Sequence, residues 1–261
     1  MPAAYAHYRF GAAMLSTMPG DISRSVKRYR RLYDVGLHGP DLFFFYNPLI
    51  STKAGKLGGK FHSQTGQEFF TRVCRSLRLE PSEAGQAYLY GVLCHYCLDS
   101  LCHPFVEDMS REDSVGHIQI ESEFDRFLLE KDGKSPACQQ DISHHMQLQP
   151  EECAVVARFY PGATPRQIQA GVKNMALVKK MLATKDGKSR DLLAKTIGIA
   201  SKDYAAFVMK AEPDPACAHL DDGLFALYKN AEKVFPELLL QLGAHLTYNA
   251  PLGKDFAPTF G

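Results

Sequence analysis

Eight side chains of metal-binding type form an ordered series between positions 7 and 121: His7, Asp41, His62, His95, Asp99, His103, His117 and Glu121. Three of them, His95, Asp99 and His103, are spaced i, i+4, i+8. Each step of four residues advances only about 40° around a helix, so all three share one face. Imidazole and carboxylate are the groups that zinc takes as ligands. His117 and Glu121 repeat the i, i+4 spacing, and Asp125 extends the same stripe. Asp99 weighs most, because Tyr88–Cys102 is otherwise mostly apolar. A carboxylate buried in such a helix is costly without partners, and a metal supplies them. Clustered zinc brings the pKa of bound water toward neutrality and provides hydroxide as a nucleophile. It also neutralises negative charge as it builds on a substrate oxygen.

The elements that must position these groups read as helices. The expected spans are 4–16, 22–33, 61–79, 82–103, 117–128, 150–159, 165–182, 190–209 and 222–242, with no convincing strand alternation anywhere. Ser82 is the expected N-cap of the fourth, and Pro104 is expected to close it. The Gly- and Lys-rich stretch 51–60 reads as an exposed loop, as does 131–141, and the tail from Tyr248 to Gly261 as irregular. With no internal repeat and no low-complexity linker, a single domain over 1–261 is expected, its metal-binding motifs within 5–128 and a helical completion over 149–245. His7 lies on the first helix and His62 near the start of the third. Asp41 lies in the Gly36–Asp41 loop, ahead of the aromatic run Leu42–Tyr46.

As an ordered set, Ala6-His7-Tyr8-Arg9, Gly39-Pro40-Asp41, His62, His95-Tyr96-x2-Asp99-x3-His103-Pro104 and His117-x3-Glu121 resembles the zinc-dependent phospholipase C family. That family includes secreted bacterial phosphatidylcholine-cleaving enzymes and the catalytic domain of clostridial alpha-toxin, and single-strand-specific zinc nucleases share its fold. The resemblance implies an all-α, multi-helix domain and a zinc-dependent phosphodiester hydrolase acting through a zinc-bound hydroxide. It implies that His62, His95 and Asp99 hold one zinc, that His103, His117 and Glu121 hold a second, and that His7, with Asp99 as bridge, contributes to a third. Asp41 matches an acidic residue beside the metals, as ligand or as general base. Read from the residues alone, Asp41 has a second role open to it, as cap of the short aromatic helix.

The chain departs from the secreted enzymes in two respects. It has no Trp, whereas their third zinc takes the amine and carbonyl of an N-terminal Trp, and its Asp99-to-His103 gap is shorter. Three protein ligands per set leave open coordination positions, which suits catalysis better than a closed structural site. The competing readings are a nuclease or nucleotidase of the same fold, which the lack of Trp for base stacking disfavours, and a non-catalytic zinc-binding helical protein.

Composition bounds the partners. A net charge of +1 gives no global attraction to nucleic acid or anionic lipid. The basic cluster Arg24, Lys27, Arg28, Arg30 and Arg31 reads as a solvated face or as a phosphate-attracting rim. The expected partner is a phosphate-ester substrate, a phospholipid at a membrane surface included. No apolar run is long enough to span a bilayer, and the opening residues lack a signal-peptide pattern, so a cytoplasmic location is expected. The seven cysteines, three of them crowded on one helix, suit reduced, packed thiols better than a disulfide framework or a Cys94-x-x-Cys97 redox pair.

Overall fold

A computed structural model describes residues 4–46, 53–183 and 206–261. The helices are α1 Ala4–Thr17, α2 Gly20–Arg28, α3 Arg30–Gly36, α4 Lys53–His62, α5 Gly66–Leu79, α6 Glu83–Glu112, α7 His117–Lys131, α8 Pro150–Ala157, α9 Pro165–Leu182 and α10 Asp221–Tyr248. Short 3₁₀ turns cover Gly39–Phe43, Ala137–Gln139, Ala218–Leu220 and Lys254–Phe256. The fold is all-α. Among the described residues the only β-type pairing is an isolated antiparallel bridge between Thr65 and Thr259. No described helix is long and apolar enough to cross a membrane.

The fold is organised around α6, which packs against α1, α2, α3, α5, α7, α8 and α10. Its middle is mostly apolar, and Ala87 to Asp99 are buried without a break. A stretch of helix buried all round belongs at the centre of a domain. Ser82 caps it, its Oγ accepting from the Gly85 amide at 3.0 Å. The helix does not stop at Pro104 but runs on to Glu112. Proline removes the bond to the carbonyl four residues back. Here the ring is exposed and Ser100, which loses its donor, is half-exposed, so the break falls where water reaches.

Three further boundaries differ from expectation. The 61–79 helix is two helices, because Thr65 and Glu68 form a capping box that starts α5 afresh. The expected loop at 51–60 is largely α4, so tertiary packing overrides the poor helix propensity of its glycines. The 22–33 helix is divided at Tyr29, whose backbone leaves helical geometry (φ −112°, ψ 42°). The helix expected over 190–209 lies mostly outside the described residues, and its last four residues form no helix. All seven cysteines are free thiols and buried. Phe43 and Phe45 are core residues, while Phe44 and Tyr46 are half-buried. The basic cluster is partly neutralised at the surface, with Arg28 on Glu83, Arg30 on Asp34 and Arg31 on Glu152.

Candidate metal centre

One face of α6 presents His95, Asp99 and His103 to the inside of the molecule, at 0%, 3% and 5% exposure. Asp99 stands at the centre of the site. Its Oδ1 lies 3.1 Å from His7 Nε2 on α1 and 3.7 Å from His103 Nε2, and its Oδ2 lies 3.1 Å from His95 Nε2. From α7, Glu121 Oε1 reaches His117 Nε2 at 3.1 Å and His103 Nε2 at 3.4 Å. From the other side, Asp41 Oδ1 lies 2.9 Å from His62 Nε2. Five separate elements thus converge on one buried cluster.

Local features bring each group in. The 3₁₀ turn carrying Asp41 lies flat on His95, since Gly39 has φ +46° and a Cβ there would fall 2.4 Å from the His95 ring. Glycine alone meets both demands cheaply. His62 ends α4, and its Nδ1–H donates to the Gly58 carbonyl at 2.8 Å. That bond fixes the tautomer and leaves the Nε2 lone pair aimed at Asp41, as in metal-ligating histidines oriented by a backbone acceptor. The start of α1 is held by Asp125, which extends the α7 stripe yet joins no metal-type cluster. Its two oxygens accept the Ala6 and Tyr5 amides at 2.8 and 3.1 Å. His38, just before the turn, is buried and hydrogen-bonded Nε2 to Nε2 with His145 at 2.8 Å, which stacks on Tyr8. His245 is also buried, donating Nδ1–H to the Ala250 carbonyl. His144 and His219 lie at the surface.

Ligand-type atoms within 4.8 Å of one another form three groups among the described residues: His7, His95 and Asp99; Asp41, His62 and His95; and His103, His117 and Glu121. The third is the set that the resemblance implies. The first two divide the rest differently, since His62 sits with Asp41 and His95, and Asp99 with His7 and His95. Capping by Asp41 is not what the structure shows, for neither of its carboxylate oxygens takes a hydrogen bond. Buried atoms without a hydrogen bond include both Asp41 oxygens, His62 Nε2, both His95 nitrogens, Asp99 Oδ2 and His7 Nδ1. The His62–Asp41 and His95–Asp99 pairs are close but not aligned as hydrogen bonds. Each such group costs about 1–3 kcal/mol if left unsatisfied. Two ligands of a tetrahedral zinc at about 2.1 Å stand about 3.4 Å apart, and the separations within the cluster, 2.9–3.7 Å, bracket that value. Donor types, spacing and unmet bonding capacity all fit zinc.

The electrostatics agree. Burial alone would raise the Asp99 pKa, but the imidazoles of His95, His103 and His7 hold it well below the usual carboxylate range. Burial pushes His95 down to about 3, despite the pull of Asp99. At neutral pH the pair is therefore carboxylate plus neutral imidazole, the protonation state in which both bind metal.

A helical domain with carboxylates and imidazoles converging from five elements on a buried centre has the ligand groups of a zinc site. The zinc dependent phospholipase C family model matches residues 6–160, and the chain belongs to that family. No curated protein and no solved structure matches the chain. The match takes in every ligand-type residue named above and extends beyond the motifs to α8.

Proposed function

We propose that this protein is a zinc-dependent phosphodiester hydrolase of phospholipase C type, with His7, Asp41, His62, His95, Asp99, His103, His117 and Glu121 as its metal ligands. The position of Asp99, facing histidines from α1 and from two turns of α6, carries the reading. One carboxylate so placed could serve two metal positions. Zinc held there would lower the pKa of a coordinated water and screen the charge of a phosphate.

The chain's own residues supply the rest. Asp41 is buried, and although burial raises its pKa, neighbouring groups including the His62 and His95 imidazoles bring it below the ordinary value. It is ionised at neutral pH, with oxygens able to hold metal or to accept a proton from attacking water. Gly58 holds the proton on His62 Nδ1, keeping Nε2 free to coordinate. His117, with a side chain 30% exposed, is where the cluster touches solvent and where a phosphate ester first meets it.

The test is elemental analysis of protein purified without chelator, followed by a panel of short-chain phosphatidylcholine, other phosphodiesters and oligonucleotides. At least two zinc ions per chain and preferential release of the phosphorylated headgroup are expected. Less than about one metal per chain, or preference for the oligonucleotide, would sink the proposal.

A further inference from the structure

The chain's last eight residues, 254–261, leave the 3₁₀ turn at Lys254–Phe256 and run across the metal centre. Two aromatic anchors point inward. Phe256 and Phe260 are fully buried, while Lys254, Asp255, Ala257, Pro258, Thr259 and Gly261 face solvent. Phe260 is wedged among Phe69, Phe70, Tyr96 and the His95 ring, with centroids 5.0–6.1 Å away. Its amide donates to the carbonyl of His62 at 3.1 Å. Gly261 lies against His103 so closely that a Cβ would fall 1.6 Å from Nδ1, and its φ is +137°. The segment thus touches His62, His95 and His103, three ligand-type residues on two helices. It is tied on by few bonds: the single Tyr96 O–H, beside His95, is shared between the carbonyls of Asp255 and Pro258 at 3.0 and 3.1 Å, and the Gly66 amide donates to Pro258.

Seven of the eight ligand-type residues are no more than 5% exposed. The cavity beside His7, Asp99, His103 and Glu121 is only about 20 Å³, room for a single water. A phosphodiester does not fit there. We infer that residues 254–261 form a strap that gates the metal centre, opening when Phe260 leaves its aromatic pocket and closing over His62, His95 and His103 when it returns. The physical basis is the imbalance in how the strap is held. One backbone bridge, a few hydrogen bonds and two aromatic anchors fix a segment whose remaining surface is wet, so opening costs chiefly the exposure of the two phenylalanines, which keeps the closed state dominant and the open one reachable.

The gate rests on the metal reading, and its test needs no substrate. Thr65 and Thr259 face each other in an antiparallel bridge, where Cα atoms are about 4.5–5.5 Å apart, within disulfide range. The double variant Thr65→Cys/Thr259→Cys, loaded with zinc, is oxidised, and zinc loss to excess chelator is timed against the same protein after a phosphine reductant, with the parent chain treated alike. Since both forms carry the same substitutions, any loss of the Thr65 cap cancels. Oxidation is expected to slow zinc release about tenfold or more, and Phe260→Ala to speed it about tenfold, with Phe260→Leu close to the parent. Zinc content at saturation should match in the oxidised and reduced forms. Equal release rates from both, with zinc bound, overturn the gate and leave the metal centre standing. A protein that takes up no zinc overturns both.

Discussion

At the residue scale the site depends on which oxygen faces which imidazole. Asp99 faces His7 and His103 with one oxygen and His95 with the other, whereas His103 lies on the edge shared with Glu121. Asp99→Asn should therefore do more harm than His103→Ala. It should lower zinc content and melting temperature together, because metal bound only by the folded state stabilises it. Full metal content and a parental melt in Asp99→Asn would remove the bridging role. Asp41 gives a complementary case. Asparagine caps a helix well, so a capping role makes Asp41→Asn silent. The observed carboxylate caps nothing and is buried among His62 and His95, so Asp41→Asn should lose about 10² or more in turnover on any diester the parent cleaves. Zinc analysis of the same variant then separates its two chemical roles: metal retained marks a proton acceptor, metal lost a ligand. The i, i+4, i+8 triplet was legible in the sequence because a helix converts spacing directly into a shared face. The pairing of His62 with Asp41 was not, because it depends on how a loop and a separate helix meet in space.

At the scale of elements, the helices carrying the site were readable and their joints were less so. Periodicity predicts helices over 4–16, 117–128 and 165–182, and these appear with ends shifted by three residues at most. The division at Thr65 had a sequence signature, Thr65-Gly66-Gln67-Glu68, which is a capping box; reading 61–79 as one helix passed over it. The tail reads correctly as irregular, broken only by the 3₁₀ turn at 254–256, but where it packs could not be read. Phe256 and Phe260 look like ordinary residues of an irregular segment, and only the packing of α5 and α6 shows that they anchor it over the ligands. Asp125 teaches the same lesson. Spacing puts it on the ligand stripe of α7, yet it accepts the Tyr5 and Ala6 amides at the start of α1. Helix starts leave such donors in need of partners. Asp125→Ala should cost about 1–3 kcal/mol in denaturant unfolding, and Asp125→Asn, which keeps one acceptor, should recover part of it. Because α1 carries His7, the Ala variant should also hold its zinc less tightly. Unchanged stability and zinc affinity would detach α1 from the control of Asp125.

At the scale of the whole molecule, buried carboxylates set how stability responds to pH, and they pull in opposite directions. Asp99, held low, contributes stability above the ordinary carboxylate pKa that is lost as pH falls through its folded value. Asp221, at the start of α10, is the reverse. Burial, aided by the charge of Glu123, raises it to about 7. The nearby guanidinium of Arg126 is already engaged by Glu123 and Glu130, leaving Asp221 a separation of 4.0 Å. In the unfolded chain Asp221 ionises near the ordinary value of about 3.9, whereas in the fold it keeps its proton until about 7. Between those values the folded state binds more protons, so this group's contribution falls as pH rises through that window. Asp221 touches none of the ligand groups, so its effect can be read apart from the metal. Thermal melts of the parent and of Asp221→Asn at pH 5 and pH 8, zinc-saturated throughout, should show equal or slightly lower stability for the variant at pH 5 and higher stability at pH 8. The variant lacks the ionisable group, so its loss on going to alkaline pH should be shallower than the parent's. Parallel losses in the two proteins would mean that Asp221 ionises in the fold as it does in the open chain, with Arg126 meeting its charge after all.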